Sequence, residues 1–337
     1  MNIHHHHGAC MKNQYDALLK ACQNGEADKF QQLFSSLSAE QKIEFLSYND
    51  YEAYHQAMAS GNLTLFEGIT AAIIKSFATD MMDEEEVLIP AFEARQGEGF
   101  IQALERQHLA IVESMLFVLF LDYYCNEIIN TKSKYIQFVL QHSNLKPAIP
   151  DLFKQACATD LDTVKRWVDI LPNETLIEIC NPKFSELNQE ASRSCFYYVA
   201  SPEILDFLWN NLSPVIQATI ANNVFPGCLV YQVKKEEVAI IEKILSLLDE
   251  KQQSHCFKFE DYNCFVYAAD RGSLDIIKLL WKTFSSEDKI NALKASNYAA
   301  YRLASKANHI QIISFLESVA PAPILLEMQP AVSQPIK

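Results

Sequence analysis

The 337-residue chain lacks the short signatures that announce common chemistries. There is no H-E-x-x-H, no G-x-x-x-x-G-K-[ST], no G-x-S-x-G and no G-x-G-x-x-G. That removes the usual helix-borne zinc hydrolase, the P-loop, the nucleophile elbow and the dinucleotide fold. It also lacks C-x-x-C: the nine cysteines are odd in number and irregularly spaced, which argues against a disulfide framework or a zinc site and for a reducing cytosol. Long apolar runs are missing too. The most apolar stretch, Met115–Leu121, lies between Glu113 and Asp122 and falls far short of the ~20 residues that span a bilayer. Positive charge is scarce. The net charge is −14, and no basic stripe with interleaved aromatics occurs, so neither nucleic acid nor a membrane span is expected. No cofactor is expected either.

What is present is ordinary globular material, 49% hydrophobic and 21% charged, organised in a pattern that repeats. Its clearest copy is Asn263 to Leu280, NCFVYAADRGSLDIIKLL. A short apolar run ends in Ala268–Ala269, Gly272 breaks it, and Ser273 stands where a helix N-cap belongs. Leu274, Ile277, Leu280, Trp281 and Phe284 then recur at helical spacing. This predicts helix, tight turn, helix, with the small alanines letting two helices approach closely.

Taking Leu274 as marker, equivalent residues are Ala27, Leu63, Leu109, Leu161, Pro202, Val238 and Ile310. Their successive separations are 36, 46, 52, 41, 36, 36 and 36, a periodicity that signals stacked repeats. Gln107, Thr159 and Asn308 stand at the place of the turn glycine, with Asn62, Asp160 and Ser201 as caps. The connecting segments also match. Ser38-Ala39-Glu40-Gln41-Lys42-Ile43 is similar to Ser286-Glu287-Asp288-Lys289-Ile290, which predicts a short extra helical turn and weak or absent β-fingers. The markers are expected to be buried.

The stretch A-A-x-x-G-x-L-x-I-I-x-L-L resembles the ankyrin repeat. The 36-residue spacing, the charged connector and the N-Y-x-A-Y start of a repeat are similar to the divergent ankyrin repeats of effectors that intracellular bacterial pathogens inject into host cells. The resemblance runs from about Tyr15 to Val319. It implies an all-α, ankyrin-like solenoid of about eight helix-turn-helix units, irregular in the centre. Residues 1–13, with the run His4–His7, read as a tag or disordered N-terminus. Residues 14–320 read as the solenoid, with insertions near 78–99 and 122–148, and 321–337 as a Pro-rich disordered tail. Asp80, Asp83 and Glu84–Glu86 are expected in an acidic surface loop.

By the same resemblance the chain is a monomeric scaffold that binds a protein, a host protein if it is a type IV effector acting in the host cytosol. Residues preceding the turn glycine, and those three before the first apolar position, then face the concave side. These are Tyr51, Glu105, Arg106, Tyr262, Asp270, Arg271, Tyr298 and Lys306. Tyr and Arg are the types that most often dominate binding energy, although the tyrosines equally suit a role stapling each connector to the next helix. The alternative is an enzyme with a cryptic site in the irregular centre, residues 78–225. His255–Cys256 is its nearest nucleophile–base pair, whereas His108 and His309 sit at the turn and read as structural.

Overall fold

The computed structural model describes residues 3–78, 84–118, 128–182 and 193–331. Regular structure among them is helical, without a strand. The chain divides into two compact units, Met1–Gln155 and Ala156–Lys337.

All eight marker residues open a helix. The elements are Ala27–Ser35, Leu63–Phe77, Leu109–Val118, Leu161–Val168, Pro202–Asn210, Val238–Leu247, Leu274–Thr283 and Ile310–Val319. Local chemistry sets those starts. Asn62 accepts from the Leu65 N–H at 2.9 Å, Asp160 from Thr163 at 2.8 Å and Ser201 from Ile204 at 3.4 Å. The expected burial of the markers is not what the structure shows. Leu63, Leu109, Leu161 and Leu274 are half-buried and Ile310 is 59% exposed. Burial falls two and three residues later, on Leu65 and Phe66, Ile111 and Val112, Ile204 and Leu205, Ile240 and Ile241, and Ile276 and Ile277. A side chain at the first helical position leans back over the turn, so the core-facing stripe begins about half a turn further on.

The preceding helix of each pair ends in a shared turn. In the clearest copy, Asn263–Arg271 is followed by Gly272 at φ +80°. The Gly272 N–H reaches Ala269 O at 3.3 Å and the Ser273 N–H reaches Ala268 O at 3.0 Å, the paired bonds of a Schellman cap. The same pair closes the turns at Gly25–Glu26, Gln107–His108, Glu236–Glu237 and Asn308–His309. Gln107, Glu236 and Asn308 adopt φ near +60° there, carrying a strain glycine would not. Thr159 does not adopt it.

The connectors are more structured than a single turn. In the C-terminal unit, Glu250–Lys258 is a complete helix, boxed at its start by Asp249 and Gln252. Ser286–Lys306 is two helices that meet across a kink at Ala295–Tyr298, the first of them capped by Ser285. In the N-terminal unit Ala39–Ser60 has the same form, with a Ser38/Gln41 capping box and a break at Tyr48–Tyr51. Each break holds three consecutive left-handed residues: Asn49, Asp50 and Tyr51, and Ser296, Asn297 and Tyr298. Glu260, Asp261 and Tyr262 repeat the motif between the other pair of helices.

Four further expectations need correction or fall outside the described residues. Glu84–Glu93 is a helix with Val87, Leu88, Ala91 and Phe92 buried, so the glutamates occupy its first turn, where acids suit the helix dipole, rather than a loop. Asp80 and Asp83 lie outside the described residues, as do the side chains of His4–His7, whose backbone is part of the Ile3–Gln23 helix. From the second insertion Ser133–Gln141 is a helix followed by a 3-10 turn, Ser143–Ala148. The tail is not unstructured from 321: Ala322–Ala331 is a helix that packs on Ser286–Lys306, burying Ile324 and Met328. Two apolar residues four apart sufficed, and the prolines stand near its two ends.

Packing in the N-terminal unit is tight enough to require glycine at one position without a turn. A Cβ on Gly99 would lie 2.5 Å from His55 O and 2.6 Å from its Cα. The Gly99 N–H donates to His55 Nδ1 at 3.2 Å, which leaves the ring proton on Nε2, donated to Ala91 O at 3.0 Å. His55 is 2% exposed, and burial lowers its pKa to about 4.

Candidate functional site

The eight residues expected on a binding face fall into two classes. The tyrosines are wholly or partly buried. Tyr262 is 4% exposed and donates its hydroxyl to Asp288 at 2.8 Å. Asp288 is itself buried and also accepts from Ser254 and Ser285. Tyr298 is 8% exposed and donates to Glu327 of the C-terminal helix. Tyr51 is half-buried, with its ring edge-on to Phe77. Each ends a left-handed turn; there Tyr262 and Tyr298 are buried and hydrogen-bonded, while Tyr51 keeps part of its surface exposed.

The charged residues are exposed, and most already have partners. Arg271 donates to Lys234 O at 3.0 Å and Arg106 to Ala59 O at 2.5 Å. Glu105 accepts from Lys134 at 2.9 Å and Tyr135 at 3.1 Å, and Lys134 above all holds its carboxyl below the usual range. Asp270 and Lys306 are exposed at successive turns, and Asp270 O bonds His309 Nε2 at 2.9 Å. Tyr51, Glu105 and Arg106 belong to the N-terminal unit. The other five belong to the C-terminal one.

These contacts share a geometry that sequence reading missed: each turn is tied to the next. In the N-terminal unit Asn62 Nδ2 donates to Gly25 O at 2.8 Å, Arg106 to Ala59 O, and the His108 ring lies against Gly61. In the C-terminal unit Ser273 donates to Glu236, Arg271 to Lys234 O, and His309 sits against Gly272 while bonding Asp270 O. Ser273 therefore does not cap its own helix as expected. Both histidines pack on a turn glycine of the preceding helix pair, the place read for them from sequence.

A pocket of about 650 Å³ opens in the C-terminal unit. Its cations are Arg193 and Lys234. Its aromatic walls include Tyr197, Tyr231 and Phe259, with Glu260 as the carboxylate. The Arg193 guanidinium lies 5.9 Å from the Tyr197 ring centre and 5.3 Å from that of Tyr231, and the two rings are 5.4 Å apart. Lys234 Nζ stands 4.1 Å over Tyr267 and Lys235 Nζ 4.9 Å over Tyr231. Gln232 Nε2 holds the Tyr197 carbonyl at 3.1 Å. Burial raises the Tyr197 pKa, which keeps the phenol a neutral donor. Sequence reading missed this site because its residues come from three helices and from connecting segments far apart in the chain.

Beneath the same segment lie fully buried thiols. Cys180 and Cys195 Sγ are 3.6 Å apart, and Cys228 Sγ faces Phe196 O at 3.3 Å. Burial raises the Cys157 thiol, contact with Cys195 raises that of Cys180, and both stay protonated and inert. His255 and Cys256 do not form a dyad: His255 Nε2 bonds Asn222 O at 3.1 Å and Cys256 Sγ points at Ala221 O at 3.8 Å. Burial raises Cys256 to about 12. Among the described residues no group of histidine, cysteine and carboxylate side chains is placed to hold a metal ion, and no helix is long and apolar enough to cross a membrane.

No protein-family model matches the chain, and neither curated proteins nor solved structures give a match.

Proposed function

We propose that this chain is a protein-binding scaffold built from ankyrin-like helical repeats. The observation that carries the reading is the recurring turn. Eight markers open helices, five turns close with the same pair of backbone bonds, and neighbouring turns within each unit are tied by side-chain-to-backbone bonds. Repeats joined in this way present equivalent positions side by side, and such rows of exposed residues are what repeat proteins use to bind partners. In this reading the connector helix replaces the β-finger of ordinary ankyrin repeats, and delivery to a host cell as an effector remains part of the proposal.

Binding is assigned to the exposed charged residues of successive turns, Asp270, Arg271 and Lys306, and not to the buried tyrosines. The experiment is capture of a partner on the intact protein, compared with Asp270→Ala/Lys306→Ala. That pair leaves the Arg271 bond to Lys234 O in place, and as a surface change it shifts stability by about 0.5 kcal/mol or less. Loss of capture with an unchanged unfolding transition supports the assignment. Equal capture by both proteins removes this end of the C-terminal unit as the site.

A further inference from the structure

The residues just before each turn line up, and in the C-terminal unit their charge departs from that of the chain. Glu236, Gly272 and Asn308 each hold the left-handed place of a turn, and they stand 36 residues apart. The helices they follow, Phe225–Lys235, Asn263–Arg271 and Ser286–Lys306, pack side by side. Immediately before the turns stand Lys234 and Lys235, then Asp270 and Arg271, then Lys306 and Ala307. That row holds four cations and one acid, all exposed, in a chain whose net charge is −14. The corresponding places of the N-terminal unit, Gln23 and Asn24, Ala59 and Ser60, and Glu105 and Arg106, carry no net charge.

Among the described residues none of the four cations forms an ion pair. Lys234 Nζ stands over Tyr267 and Lys235 Nζ over Tyr231, which seats two of the charges on the row. Arg271 donates one N–H to Lys234 O, a bond that joins the first two steps. Glu236, in the first turn, accepts from Ser273. The spacing of the steps suits a polypeptide. Packed helices lie about 8–10 Å apart, and an extended peptide advances about 3.3 Å per residue. Neighbouring steps of the row therefore fall about three residues apart along such a peptide.

We propose that this row binds an acidic polypeptide segment, laid extended across the three turns with a carboxylate at every third residue facing a cation. The inference rests on the scaffold reading and names the chemistry of the partner. Asp270 favours a polypeptide over other polyanions. A peptide backbone carries N–H groups that the Asp270 carboxylate accepts, whereas a run of phosphates, on a nucleic acid or a lipid surface, meets it as repulsion. Tyr231 and Tyr267 are half-buried and each already carries a lysine on its ring, which makes them a poor platform for stacked bases.

The test is fluorescence anisotropy of the full chain with a labelled Glu-Ser-Ser-Glu-Ser-Ser-Glu peptide, alongside its counterpart with lysine for glutamate and a single-stranded thymidine oligonucleotide. The expected result is saturable binding of the glutamate peptide, with each of the other probes weaker by tenfold or more. Binding should weaken about tenfold as salt rises from about 0.1 M to about 1 M, which shortens the Debye length from about 10 Å to about 3 Å. Lys234→Gln/Lys235→Gln should lower affinity about tenfold and Lys306→Gln about threefold. Circular dichroism should stay unchanged, since all three lysines are exposed. Lys278→Gln/Lys282→Gln removes the same charge from exposed positions of Leu274–Thr283 and should leave affinity within about twofold. Three outcomes overturn the inference: no saturable binding of the glutamate peptide, equal or tighter binding of the oligonucleotide, or affinity falling no further in the row variants than in the control pair. Partner capture that is lost with Asp270→Ala/Lys306→Ala, in a protein that does not bind the peptide, would remove this inference and leave the scaffold reading in place.

Discussion

Acid should destabilise the N-terminal unit through His55, beginning above the range in which carboxylates titrate. The ring is buried with both nitrogens committed: Nδ1 accepts from Gly99 and Nε2 donates to Ala91 O. A second proton would sit on Nδ1, facing the Gly99 N–H, and would place a charge in the core. The folded pKa is therefore about 4 against an ordinary 6.5. Between those values the unfolded chain binds a proton that the native chain does not, so stability rises with pH. The contribution is complete above 6.5 and is lost as pH falls towards 4. At 1.36 kcal/mol per pKa unit this shift amounts to about 3 kcal/mol, a large part of the ~5–15 kcal/mol that holds most domains together. The assay is urea denaturation followed by far-UV circular dichroism at several pH values, for the natural chain and for His55→Gln. The variant should lose about 1–2 kcal/mol at neutral pH, from imperfect replacement of the two hydrogen bonds. Its stability should then fall with acid less steeply, by about 3 kcal/mol over the whole interval. Identical pH slopes for the two proteins would refute the argument.

Other expectations follow from single contacts. Gly99→Ala should cost about 3 kcal/mol, measured by the same denaturation, because its Cβ would meet His55 backbone at 2.5 Å. Gln107→Gly should raise stability by about 0.5 kcal/mol, the relief of a left-handed side chain less the added freedom of the unfolded chain. Gln107→Ala should not, and a thermal scan of both separates the cases. Removing Pro321–Lys337 should destabilise the C-terminal unit by about 4 kcal/mol, since Ile324 and Met328 are buried and Glu327 holds Tyr298. Tryptophan fluorescence reads that loss directly, as Trp167, Trp209 and Trp281 all lie in this unit.

Helix starts were legible because their signals are local. Asn62, Asp160 and Ser201–Pro202 act within one turn of themselves, and Gly272 marks a conformation that few other residues accept without strain. Burial was less legible, since a marker at the first helical position points along the axis rather than into the core. The left-handed runs at Asn49–Tyr51, Glu260–Tyr262 and Ser296–Tyr298 were not legible at all. Asn and Asp accept a positive φ singly, but three consecutive non-glycine residues there go beyond what local preference predicts. Buried bonds such as Tyr262 to Asp288 accompany them, and such bonds join residues distant in sequence. The same holds for the pocket: Tyr231 and Lys234 share one helix face, but Arg193 and Tyr197 join them only through packing. The recurring tyrosines share one place in the chain, and two of the three, Tyr262 and Tyr298, are buried there with their hydroxyls bonded to Asp288 and Glu327.

The central claim is that successive 36-residue segments are equivalent and stack through like contacts. Deleting residues 238–273, from one marker to the residue before the next, tests it most directly. If the claim holds, Leu274 follows Glu237 as Val238 did, and His309 meets the turn at Glu236 in place of the one at Gly272. The shortened chain should then keep its helical content per residue and a single cooperative unfolding transition for the C-terminal unit, followed by tryptophan fluorescence. A chain that unfolds without cooperativity, or that loses helix well beyond the deleted residues, would contradict the account.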